Sequence, residues 1–187
     1  MSPVRLARTL AIAIARGALA RPAAAQDPHA PRGARPGATL RIPESMRLEH
    51  QEIHEELTRA TRAADPVGAA ARRLAAVLHP HFTREEQIAL PPLALLAPLS
   101  RGEATAGMRA VLPMTDSLRA ELPRMLKEHV AIRAATLRLG EVARARGDSA
   151  VTRLAGKLAL HARSEEEMFY PAAVLVGDLV RARVPRE

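Results

Sequence analysis

Residues 81–91 read HFTREEQIALP and residues 161–171 read HARSEEEMFYP. Both are H-x-x-x-E-E-x-x-x-x-P, so the chain states one pattern twice. On a helix, residues four apart lie one turn apart on the same face. Each stretch therefore predicts an imidazole and a carboxylate aimed at one point, His81 with Glu85 and His161 with Glu165. A single H-x-x-x-E is an ordinary surface pair; the meaning here comes from what precedes each copy.

Upstream, Glu49-His50-x-x-Ile53 and Glu128-His129-x-x-Ile132 echo each other. His50 precedes His81 by 31 residues and His129 precedes His161 by 32. The chain thus reads as two helical hairpins carrying one pattern. Pairing them about a two-fold axis brings four imidazoles and two carboxylates to one centre. That donor set fits two transition-metal ions, with each carboxylate able to bridge. A lone histidine on an apolar stripe, such as His129 among Leu122, Met125 and Ile132, is commonly a buried hydrogen-bonding group. The doubled pattern argues for cations, because a buried cluster of this kind is costly without them. Imidazole with carboxylate suits iron, zinc or manganese. The chain has no cysteine, which excludes disulfides, iron–sulfur clusters, thiolate-bound zinc and c-type haem.

Composition agrees with a helical scaffold. Apolar residues are mostly Ala and Leu, with two Phe, one Tyr and no Trp, a mixture that favours helices over sheets. Helices are expected from about Pro43 to Ala63, from Pro66 to about Leu90 with a kink at Pro80, from Leu118 to Ala145 around Pro123, and from Ala150 to Tyr170. Pro171 should bend or interrupt the last of these before a final turn near Val180. Joints are expected at Asp65-Pro66, Ser100-Arg101-Gly102 and Gly147-Asp148-Ser149. The expectation is all-α: an antiparallel four-helix bundle over residues 43–183, built from two similar hairpins.

Ahead of the bundle the character changes. Residues 1–25 contain no acid, and a basic start with Arg5 and Arg8 leads into the apolar run Leu10–Ala15. Ala23-Ala24-Ala25 then offers a small-residue cleavage site. This is the layout of a secretory signal, although Arg16 and Arg21 interrupt it. It predicts export, to the periplasm, with a basic cytoplasmic extension as the alternative. Its apolar run is too short to span a membrane in a mature protein. Residues 26–42, rich in Pro, Gly and Arg, read as a flexible linker carrying an exposed His29. Residues 1–42 hold seven Arg against Asp27, so residues 43–187 carry 21 basic and 19 acidic side chains. That near balance and the scarcity of aromatic residues argue against nucleic acid binding.

The region from about residue 43 to residue 183 resembles the hemerythrin-like HHE cation-binding domain, most closely at HPHFTREEQIALPPLAL (His79–Leu95) and LALHARSEEEMFYPAAVLV (Leu158–Val176). The resemblance implies a non-haem di-iron centre, oxo- or hydroxo-bridged, that binds dioxygen, nitric oxide or peroxide. Carried over by motif, its metal ligands are His50, His81, Glu85, His129, His161 and Glu165. Hemerythrin proper has a fifth histidine in an H-x-x-x-H pair on its third helix, where this chain has Arg133. The first helix has such a pair instead, His50 and His54, so His54 is a candidate fifth ligand or a group supporting the ligands.

Six other positions follow from helical phase. His79 should face away from the site. Glu86 and Glu166 are candidates to hydrogen-bond ligand imidazoles or to face solvent. Ile88 and Met168 should form an apolar wall beside the ligands. Tyr170 should lie opposite His161, away from the site unless Pro171 re-aims it. The leading expectation for function is a binding protein for a small reactive molecule. The alternatives are a di-iron enzyme acting on peroxide or in nitrosative-damage repair, and a metal-stabilised structural or regulatory module.

Overall fold

The computed structural model describes residues 40–185. The expected signal (residues 1–25) and the linker as far as residue 39 lie outside the described residues.

Four long helices carry the fold: α1 Glu44–Thr61, α2 Pro66–Ile88, α4 Leu112–Ala145 and α5 Ser149–Ser164. A short α3 (Leu96–Ser100) lies between α2 and α4, and α6 (Tyr170–Arg183) ends the chain's helical part. α1 packs against α2 and α5, and α4 packs against the same two. The chain is all-α, a four-helix bundle.

The seam of the bundle is plain in the buried residues. On α1 they are Met46, His50, Ile53, Leu57 and Ala60; on α4, Leu118, Met125, His129, Ile132, Thr136, Leu139 and Ala143 are among them. Steps of three and four place these on one stripe. The histidines occupy ordinary seam positions in place of hydrophobic residues. Along each helix they fall between two apolar groups. Ile53, Leu57, Leu74, Leu78, Ile132, Leu139, Leu154 and Leu158 belong to one, and Met46, Leu90, Leu93, Leu118, Met125 and Tyr170 to the other.

The helix ends follow their local chemistry. Asp65 accepts a hydrogen bond from the Gly68 amide at 3.0 Å, with Pro66 in the first turn of α2, where its missing N–H costs nothing. Asp148 caps α5 in the same way through the Val151 amide at 2.9 Å. Just before it, Gly147 turns the chain with a φ of 69°, a conformation that favours glycine.

α4 starts six residues earlier than the pattern suggested and runs unbroken through Pro123. α2 likewise continues through Pro80. Both prolines face solvent, where water satisfies the carbonyl each leaves without a partner. Residues 91–111 cross from α2 to α4 through two 3₁₀ turns and α3. Leu95, Leu99, Met108 and Val111 from this crossover pack on Val176, Val180 and Val184. Among the described residues no helix is long and apolar enough to cross a membrane.

Candidate metal centre

His50 (α1), His81 and Glu85 (α2), His129 (α4), His161 (α5) and Glu165, immediately after α5, are all buried, none more than 3% exposed. Their side chains form two groups that share both carboxylates. His50, His161, Glu85 and Glu165 make one, and His81, His129, Glu85 and Glu165 the other, with the donor atoms of each within 4.8 Å of one another. The carboxylates divide their oxygens between the groups. Glu85 Oε2 and Glu165 Oε1 face His50 Nε2 at 3.9 and 3.6 Å, and Glu165 Oε1 lies 2.8 Å from His161 Nε2. Glu85 Oε1 lies 3.3 Å from His81 Nε2, and Glu165 Oε2 lies 3.5 Å from His129 Nε2. Each carboxylate thus presents one oxygen to each histidine pair.

The other ring nitrogens fix the tautomers. His50 Nδ1 lies 3.2 Å from Glu86, and His129 Nδ1 lies 2.8 Å from Glu166. His81 Nδ1 lies 2.8 Å from Glu128, and His161 Nδ1 faces Glu49 at 3.2 Å without the alignment of a hydrogen bond. A carboxylate can only accept, so each favours a proton on Nδ1 and leaves Nε2 with its lone pair inward. Arginines back two of these glutamates: Arg124 reaches Glu128 at 3.0 Å, and Arg133 pairs with Glu166. Arg133, standing where hemerythrin proper has its fifth histidine, thus supports the carboxylate that holds His129.

The donor atoms need something between them. His50 Nε2, His161 Nε2, Glu85 Oε2 and Glu165 Oε1 are buried without a hydrogen-bond partner; the close His161–Glu165 pair is not aligned as a hydrogen bond. His81 Nε2 and His129 Nε2 point at each other at 2.7 Å, which two bare lone pairs would not tolerate. Without a cation, protons must compensate. Burial pulls the His81 and His161 pKa values down, but the facing carboxylates outweigh it and raise them to about 9 and about 10. Burial dominates at His129, which is lowered. Burial and the neighbouring Glu165 push Glu85 up. Burial also opposes the charge on Glu165, yet His161 and His50 hold its pKa well below the usual carboxylate range. Divalent cations would replace those protons and give these four unpartnered donor atoms a partner, so the residues fit the ions they could hold.

His54 does not join this group. It is exposed, and its ring meets that of His79 with centroids 4.6 Å apart. Ile53, fully buried, takes the inward seam position on that turn, and His54 is directed toward α2 instead. His79 accordingly packs against His54, rather than standing alone in solvent. Ile88 is buried as expected, but Met168 is 56% exposed.

The cause of the Met168 misplacement also overturns the expectation for Tyr170. Glu165–Phe169 form a π-helical turn, closed by the Tyr170 amide bonding to the Glu165 carbonyl. One turn here takes an extra residue, so Met168 rotates outward and Tyr170 inward. Pro171 supplies a reason: it has no amide to donate, and its ring disfavours regular α geometry four residues back. Tyr170 is 1% exposed. Its hydroxyl donates to Glu85 and lies 3.1 Å from His129 Nε2 and 3.3 Å from His81 Nε2. Glu49 and Glu128, to which the repeated motif gave no role, and Tyr170, which helical phase turned outward, are the site residues that the sequence did not place.

Four helices that turn histidines and shared carboxylates onto a buried centre define a cation-binding bundle. The chain belongs to the hemerythrin HHE cation binding domain family, whose model matches residues 41–173. No curated protein and no solved structure matches the chain.

Proposed function

We propose that the chain holds two iron ions in a non-haem, oxo- or hydroxo-bridged centre and uses them to capture dioxygen, nitric oxide or peroxide. His50, His81, Glu85, His129, His161 and Glu165 are the ligands in this reading. The observation that carries it is the split of each carboxylate between two histidine pairs, with the four donor atoms of one group unpartnered and buried. Bound iron would supply a Lewis-acidic, redox-active position for a small molecule. The protein's part is to fix four imidazoles in the Nδ1–H tautomer, to bridge with two carboxylates and to exclude water. A cavity of about 290 Å³ lies against the outer face of His50, lined also by Gln51, Phe82 and Glu86.

Anaerobic purification with metal analysis and visible spectra tests the reading. Two irons per chain and a spectrum that changes reversibly with dioxygen or nitric oxide are expected. Turnover of peroxide would move the protein to the enzyme alternative, and tightly held zinc with no spectral response to a structural one. In Glu85→Gln or Glu165→Gln, at least one ion per chain should be lost; full metal content in both would refute the bridging role. The same reading takes residues 1–25 as an export signal, so exported material should begin at Gln26 on N-terminal sequencing.

A further inference from the structure

The internal repeat extends past the histidines and glutamates to the residue before each proline. The Leu90 amide shares the Glu85 carbonyl, at 3.0 Å, with the Ala89 amide at 2.8 Å as α2 ends, and the Tyr170 amide bonds to the Glu165 carbonyl in the π-helical turn. Each residue is followed by a proline, and each is buried, Leu90 at 0% and Tyr170 at 1% exposure. Positions 90 and 170 are therefore equivalent in the two hairpins. The two-fold relation that exchanges them also exchanges the His50/His161 group with the His81/His129 group. At this pair of positions one half offers an oxygen and the other a hydrocarbon.

The consequence is visible in the donor atoms. In the His81/His129 group the Tyr170 hydroxyl touches Glu85 Oε1 and both Nε2 atoms. In the His50/His161 group all four donor atoms lack a partner.

Resting on the two-ion reading above, we propose that Tyr170 makes the two metal positions unequal. Its phenolic oxygen is a fifth protein donor to the ion between His81 and His129, and the ion between His50 and His161 is the one that accepts an exogenous small ligand. Leu90 keeps the second position free of a protein donor. The inequality that hemerythrin proper achieves with an added histidine arises here from a tyrosine brought in by a π-helical turn.

Iron-loaded parent protein and Tyr170→Phe, with azide as the exogenous probe, decide the matter. A phenolate bound to ferric iron gives an intense visible charge-transfer band and tyrosinate modes in resonance Raman spectra. The parent should show both, and Tyr170→Phe should lose both while keeping its helical circular dichroism. Azide should bind the parent without displacing the tyrosinate modes. A parent with two irons and no tyrosinate signature overturns the proposal and leaves the two-ion reading standing. Loss of that signature on azide binding overturns the assignment of the open position. A parent that takes up no iron overturns the two-ion reading and this proposal together. The parent's spectrum carries the decision even if the variant misfolds.

Discussion

Each of the four central histidines faces a glutamate on a neighbouring helix: Glu86 bonds to His50, Glu128 to His81 and Glu166 to His129, and Glu49 stands against His161. Every glutamate of the repeated E-H and E-E pairs is therefore used, one neighbour of each pair pointing into the centre and the other gripping a ring from behind. Such partners set the tautomer and basicity of a ligating imidazole, so Glu128→Gln should weaken iron binding by roughly 10–100-fold with the bundle intact. His54→Ala, which alters only an exposed ring against His79, should leave iron content and spectrum unchanged. Isothermal titration of both variants separates the two outcomes, and equal losses would mean that the glutamate acts only on folding. The six central donors were legible in the sequence because they repeat at helical spacing. The grip of Glu49 and Glu128 was not, because phase within one helix does not say which side chain of a neighbouring helix it meets.

Helices α1, α2 and α4 obey a constant angle per residue closely enough that their seam could be read from sequence. The fourth long helix does not. A π-helical turn at Glu165–Phe169 adds one residue to a turn, and every inward position beyond it is shifted. That is why Met168 was expected at the site and Tyr170 away from it, and why the structure reverses them. Proline at 171 was the available cue, but a proline in a helix usually signals a bend, and only the bonding pattern distinguishes a bend from a widened turn. α6, which continues from Tyr170, is seated by a close approach to α4. A Cβ built on Gly177 would lie 2.3 Å from Thr115 Oγ1 and 2.8 Å from its Cβ. Gly177→Ala should cost about 1–3 kcal/mol of stability through overpacking. Chemical denaturation measures this, and the six central donors, none of them on α6, should still retain iron. No loss of stability would mean that the two helices can separate freely.

Over the molecule as a whole, protons and metal ions compete for one buried centre, and the competition fixes how stability depends on pH. In the metal-free protein the pKa values of His81 and His161 are raised to about 9 and about 10, against about 6.5 in an unfolded chain. Between those limits the folded state holds more protons than the unfolded one, so stability falls as pH rises. The contribution is fully present below about pH 6.5 and disappears as pH passes through the folded values. Metal loading reverses the sign. A metal held as proposed requires neutral imidazoles, so loading expels the protons from His81 and His161, and the affinity grows as pH rises through the same window. The loaded fold then holds none of these protons while the unfolded chain still binds some at about pH 6.5, so its stability rises with pH there. Urea unfolding of metal-free and iron-loaded protein at about pH 6.5 and about pH 8.5 should therefore give slopes of opposite sign, downward without metal and upward with it. Proton release on loading, followed with a pH indicator in weak buffer, should accompany the change. Parallel slopes with no proton release would mean that the raised histidines stand outside the metal's coordination, and the six-donor centre would have to be abandoned.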